Sequence, residues 1–140
     1  MPYPEEMVAP LRRELDAAGV TELTDGAAVD TFMADPGTSM IFFNSVCGCA
    51  AGSARPGVAM ALSTDAKPDR VAAVFAGQDL EAVDRARAYC ADVPPSSPSA
   101  ALFRDGELVH FVPRHMIEGQ HPETVAKLFT AAFVEHCGKE

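Results

Sequence analysis

Positive charge is scarce in this sequence: 11 Lys and Arg stand against 20 Asp and Glu, for a formal charge of −9 and a pI near 4.8. A surface of that sign repels phosphate backbones and anionic lipid, which argues against nucleic-acid and membrane-surface partners. Long apolar runs are missing as well. No stretch approaches the ~18 consecutive apolar residues of a membrane span. The amino-terminal Met1-Pro2-Tyr3-Pro4-Glu5-Glu6 has neither the basic nor the apolar portion of a secretory leader. Repeats, low-complexity tracts and linkers are lacking too, so 140 residues with 48% apolar content are expected to form a single domain, 1–140, with an ordinary core. Cysteine is limited to Cys47, Cys49, Cys90 and Cys137, and a core of this size needs no disulfide scaffold. The expected setting is a soluble protein of the cytoplasm, where closely spaced cysteines are more often catalytic or metal-binding than structural.

The apolar pattern gives an order of elements. Met7, Val8, Leu11, Leu15 and Ala18 fall on one face of a helix from about Pro4 to Ala18, stopped by Gly19. Val20 to Leu23 is a short edge strand, after which Thr24 or Asp25 caps a helix carrying Val29, Phe32 and Met33. Ser39 to Asn44 reads as a strand buried on both faces, as in parallel sheets. A helix from Ala50 to about Leu62 follows, kinked at Pro56-Gly57. Arg70 to Phe75 is a second buried strand, and Asp79 caps a helix to about Cys90 with Leu80, Val83 and Ala86 inward. Ala100 to Arg104, the turn Asp105-Gly106 and Glu107 to Val112 spell a β-hairpin. A last helix, roughly Pro122 to His136, buries Val125, Leu128, Phe129, Ala132 and Phe133. A parallel βαβ unit, an antiparallel hairpin and a covering helix are the element order of a thioredoxin-like α/β fold: a central mixed β-sheet flanked by helices, here with an added N-terminal helix.

Cys47-Gly48-Cys49 falls at the first unit's strand-to-helix turn, outside the carboxyl end of a strand, where open α/β sheets bind ligands. A helix N-terminus presents unpaired N–H groups and a positive dipole end, which favour thiolate over thiol. The spacing also matters. Alternate residues are at most about 7 Å apart between Cα atoms, so a disulfide is within reach. Positions i and i+2 do not face each other on a helix, however, so that bond is expected to be strained and easily reduced. Redox exchange is the favoured reading. The rival is a metal-binding or metal-delivery protein, but a zinc site needs four ligands, and the nearest second pair, His136-Cys137, lies at the far end of the chain. Iron–sulfur ligation by the four cysteines matches no common spacing. A redox-sensing adaptor without turnover is a third possibility.

Asn44-Ser45-Val46-Cys47-Gly48-Cys49-Ala50-Ala51-Gly52, Arg55-Pro56, Val74-Phe75-Ala76-Gly77-Gln78-Asp79, Pro95-Ser96-Ser97-Pro98-Ser99 and Pro113-Arg114-His115 closely resemble the bacilliredoxin family. The likeness runs over nearly the whole chain. It implies a thiol–disulfide oxidoreductase of thioredoxin fold that removes bacillithiol from S-thiolated proteins, or isomerises disulfides, in a bacterial cytoplasm. Cys47 maps onto the family's nucleophile, Cys49 onto its partner, and the low-molecular-weight thiol is a co-substrate, with no resident cofactor or metal. Client proteins are the implied partners. Pro98 resembles the cis-proline of thioredoxin folds, so Ser97–Pro98 is expected to be cis.

Other residues carry more than one reading. Arg55 either aids the thiolate, binds carboxylates of a small thiol, or is simply a solvated helix arginine, the commoner case. Gln78 and Asp79 look like the start of a helix, and Arg114 and His115 like turn contacts, with His115 also a candidate proton donor. Cys90 reads as a buried thiol. Cys137 lies near the carboxyl end, where fraying would expose it as an auxiliary thiol that resolves mixed disulfides or joins two chains. The apolar face of the first helix serves either the core or a homodimer.

Overall fold

The computed structural model describes residues 3–137. Met1 and Pro2 of the segment read for a leader, and residues 138–140, lie outside them. The elements are α1 (Glu5–Asp16), β1 (Thr21–Glu22), α2 (Gly26–Ala34), β2 (Thr38–Asn44), a π-helical turn (Ala50–Ala54) running into α3 (Arg55–Ala61), β3 (Arg70–Phe75), α4 (Leu80–Ala88), β4 (Ser99–Arg104), β5 (Glu107–Val112), α5 (Arg114–Ile117) and α6 (Pro122–Cys137). The sheet order is β1-β3-β2-β4-β5, with β2 parallel to β3 and antiparallel to β4.

β2 is the axis of the molecule. All seven of its residues are buried, because it has a strand on either side and helices on both faces. Side chains of a strand alternate between faces, and the core divides accordingly. Met40 and Phe42 join Leu15, Val58, Phe129 and Phe133 beneath α1, α3 and α6. Ile41 and Phe43 join Val29, Met33, Val74 and Val83 beneath α2 and α4. The hairpin turn is built as its residues require: Asp105 and Gly106 both have positive φ, 51° and 83°, the type I′ geometry that Asp-Gly favours.

Several expectations need correction. Met7 is 49% exposed and Leu80 56% exposed. The inward face of α1 is instead Val8 and Leu15, and that of α4 is Ala82, Val83 and Ala86. Asp79 gives α4 no side-chain cap, since its carboxylate is turned to Arg12 at 2.7 Å. The interruption expected at Pro56 takes the form of the π-helical turn just ahead of it, closed by the Arg55 N–H donating to the Ala50 carbonyl. Gly57 is required by close packing. A Cβ there would lie 2.5 Å from Val125 Cγ1 and 3.2 Å from the Pro122 carbonyl of α6.

Candidate active site

β2 delivers the chain to the site. After Asn44 it turns through Ser45 and Val46, and the first helical residue is Gly48. The Cys47 carbonyl accepts from the N–H groups of Ala50 and Ala51 at 3.1 and 3.3 Å. Cys47 therefore stands just outside the helix and Cys49 within its first turn. This corrects the expectation that the thiols face apart: both are free thiols, and their Sγ atoms are 2.7 Å from each other. The helical i, i+2 rule does not apply to a pair whose first member precedes the helix.

The two thiols have opposite tendencies. Partial burial pushes the Cys47 thiol up, but hydrogen bonds from the Cys49 thiol, the Ser45 hydroxyl and the N–H groups of Ala50 and Cys49 outweigh it, bringing its pKa down to about 7. Burial, the hydrogen bond to Cys47 and the charge of Cys47 push the Cys49 thiol up, against a smaller pull downward from Arg114. The arrangement thus offers one thiolate at neutral pH and one thiol beside it that donates to it.

Arg55 is not a solvated helix arginine. Its side chain is 1% exposed and passes beneath the loop that carries Cys47. Nη1 donates to Asn44 Oδ1 at 3.0 Å and to the Ser45 carbonyl at 2.8 Å, while Nε donates to Glu14 of α1 at 2.9 Å. Asn44 Oδ1 also accepts from the Ser45 N–H at 2.9 Å, and Ser45 Oγ accepts from the Cys47 N–H at 3.1 Å. Arg55 acts on the thiol through this loop. Glu14 carries no motif that marks it for the site, and Asn44 and Ser45 were quoted only as the start of the block around Cys47, with no role given them. A further signal was Asn44 as a polar end to an apolar strand, because a buried polar group must find a partner.

The Ser97–Pro98 peptide is cis. Ser99 pairs with Phe43 across the sheet, so Pro98 lies at the level of Asn44, at the same end as the thiols. Arg114 joins this end as well: its N–H lies 3.4 Å from Ser96 Oγ, and its Nη1 donates to the Ser97 carbonyl at 3.3 Å. Its charge acts on both thiols.

Cys137 goes elsewhere. It is buried, 3% exposed, in the core beneath α6, where burial pushes its thiol up and Thr38 pulls it down. Thr38 opens β2 and Cys47 follows its end, so the two sulfurs are on the order of 20 Å apart along the strand. Helix α6 continues through Cys137 instead of fraying, so the expected exposed thiol is corrected to a core one. Cys90 is buried as expected, its Sγ 3.6 Å from the Ala86 carbonyl. Gln78 accepts from the Tyr3 N–H just ahead of α1, and Asp79 accepts from Arg12 within it. Among the described residues no three His, Cys, Asp or Glu side chains are grouped to hold a metal ion, and His136-Cys137 lies at the opposite end of the sheet from Cys47.

The fold and the paired thiols define a thiol–disulfide oxidoreductase of thioredoxin fold. Among solved structures the chain is similar to a thioredoxin of Malassezia sympodialis, with a TM-score of 0.56 and 17% identity over 84% of this chain and 90% of that one. It is likewise similar to a thioredoxin of Plasmodium falciparum, with a TM-score of 0.54 and 13% identity over 84% and 99%. A family described as disulphide isomerase matches residues 3–137. A bacilliredoxin of Cytophaga hutchinsonii is 57% identical over 124 residues, 89% of this chain and 92% of the relative. A bacilliredoxin of Salinibacter ruber is 52% identical over 143 residues, 100% of this chain and 84% of the relative. The chain belongs to the bacilliredoxin family.

Proposed function

We propose that this protein removes a low-molecular-weight thiol, bacillithiol by the family resemblance, from S-thiolated proteins in the cytoplasm, with Cys47 as nucleophile. The observation that carries the reading is the Cys47 thiol, lowered to about 7 with the Cys49 sulfur 2.7 Å away. The Cys47 thiolate attacks the small-thiol sulfur of the mixed disulfide. A Cys47–small-thiol disulfide forms, the original S–S bond breaks, and the client leaves as a thiolate that takes a proton from water. Two routes clear Cys47. Cys49, after losing its proton, attacks Cys47 and expels the small thiol, leaving an intramolecular disulfide for an external dithiol to reduce. Alternatively a second small-thiol thiolate attacks the adduct, releasing the symmetrical small-thiol disulfide and the Cys47 thiolate. Disulfide isomerisation in a client begins with the same attack. The exchange needs no metal or resident cofactor.

The test is release of bacillithiol from a client carrying it as a mixed disulfide, followed by intact mass. Cys47→Ser is expected to abolish release, and Cys49→Ser to accumulate a Cys47 adduct or retain partial turnover. Full activity in Cys47→Ser would overturn the proposal.

A further inference from the structure

For Cys49 to expel a small thiol from Cys47 it must first lose its proton, and no base is in hydrogen-bonding contact to take it. Among the described residues the Cys49 sulfur has the Cys47 sulfur as a partner at 2.7 Å, and no carboxylate or imidazole. In the free enzyme that same contact keeps the proton in place. Burial, the hydrogen bond to Cys47 and the negative charge of Cys47 all push the Cys49 thiol up. A small thiol joined to Cys47 removes the last two of these causes together. The Cys47 sulfur is then neutral, and an ionised acceptor holds its donor about twice as strongly as a neutral one.

What faces Cys49 in the adduct is burial on one side and the charge of Arg114, which pulls this thiol down, on the other. Arg114 is fixed at this end of the molecule by several contacts. Its Nη1 donates to the Ser97 carbonyl at 3.3 Å, its Nε and Nη2 are engaged by Glu118 at 2.9 Å, and its N–H lies 3.4 Å from Ser96 Oγ. The Ser96 carbonyl accepts in turn from Arg87 Nη2 at 3.3 Å and from Ser99 Oγ at 2.7 Å, so the loop that holds the guanidinium is itself tied to α4 and β4. The influence is unequal between the thiols: after Glu118, which matters most to Arg114, Cys49 acts on it ahead of Cys47. Arg55, the cation beneath the loop, is committed to Asn44, Ser45 and Glu14.

We propose that Arg114 serves the second step of the exchange: with Cys47 capped by the small thiol, its charge holds Cys49 as a thiolate, so that Cys49 is a nucleophile while there is an adduct to expel. This rests on the dethiolation proposed above and selects the first of its two clearing routes. The step balances. The Cys49 proton goes to water, the Cys49 thiolate attacks the Cys47 sulfur, the bond from Cys47 to the small thiol breaks, and the small thiol leaves with the electron pair. Arg114 exchanges no proton and forms no bond, and Glu118 tempers its charge.

The experiment mixes reduced protein with excess bis(2-hydroxyethyl) disulfide, which is uncharged, quenches samples in acid and reads intact mass. Reduced protein, the Cys47 adduct and the internal disulfide differ in mass, so the rates of addition and of resolution are separated. On the acid side of the resolution profile, Arg114→Gln is expected to slow resolution about fivefold, the worth of a half-exposed charge pair, and addition by less. Its profile should move to higher pH and rejoin the wild type once Cys49 is ionised in both, which a displaced loop would not produce. Arg114→Lys, which keeps the charge, should recover most of the rate, and Glu118→Gln should raise it about twofold. Resolution unchanged in Arg114→Gln, addition slowed as much as resolution, or a deficit equal at every pH overturns the inference and leaves dethiolation by Cys47 intact. So does a wild-type adduct that persists until free 2-mercaptoethanol is added, which would assign clearing to a second small thiol. Failure of the wild type to take bacillithiol from a modified client overturns the parent reading instead.

Discussion

Cys47 and Cys49 are the same residue type two positions apart, and their surroundings separate them. Cys47 collects hydrogen bonds to its sulfur that favour the thiolate, whereas Cys49 donates one and faces a neighbouring negative charge. With a pKa of about 7, Cys47 should be about a tenth ionised at pH 6 and about nine-tenths at pH 8. Alkylation by iodoacetamide, read by mass at Cys47, should therefore rise through pH 7 and level off near pH 8; a midpoint near 8.5, the free-thiol value, would contradict the assignment. Ser45→Ala removes one bond to the sulfur and the acceptor for the Cys47 N–H. A lost bond of about 1 kcal/mol corresponds to roughly fivefold slower alkylation at pH 6, with the midpoint moved upward. That two thiols stand at the end of an apolar strand was legible from Cys-Gly-Cys. Why they differ was not, because the difference lies in atoms of Ser45, Ala50 and Arg114 whose approach only the folded loop sets.

The decisive element is the join of β2 to the helix that follows. Arg55 ties the end of β2, the loop and α1 into one network through Asn44, Ser45 and Glu14. Arg55→Ala leaves the buried Asn44 oxygen and Ser45 carbonyl short of a donor and opens space in the core, at a cost of about 3 kcal/mol. Denaturant melts should show that loss, with Cys47 alkylation slowed below the denaturation midpoint because the loop is released. Further along, Gly57 lets α3 lie against α6. Gly57→Ala should destabilise by about 1–3 kcal/mol through overpacking, although alanine is the better helix former, and a stability gain in the same melts would refute the close-contact reading. The hairpin, β3 and α6 were legible almost to the residue, since period-two and period-3.6 patterns and the Asp105-Gly106 turn are local. The solvated reading of Arg55 fails because helical spacing says which face a residue occupies, not what that face meets.

At the scale of the molecule, α1 is clamped to the sheet by Arg12, which binds Glu5, Glu22 of β1 and Asp79 at the start of α4. Burial is the largest influence on Glu22 and raises it to about 7 despite Arg12, with Asp16 and Asp79 adding to the rise. An unfolded glutamate ionises near 4.3, so between about pH 4 and 7 the folded state holds a proton that the unfolded state has released. This group therefore contributes stability at low pH that is lost as pH rises through 7. Glu22→Gln removes the titration and should become progressively more stable relative to the wild type from pH 5 to 8, measured as the difference between their chemical melts; a constant difference would show that Glu22 titrates alike in both states. The sequence by itself determined the order of elements, the apolar strand in the middle and the two thiols at its end, because these follow from local pattern and spacing along the chain. Tertiary structure alone decided which charges meet. It buried Arg55 beneath the active loop, sent Cys137 to the opposite end of the sheet, and set Arg114 beside the sulfurs, since each placement depends on residues tens of positions apart brought together by packing.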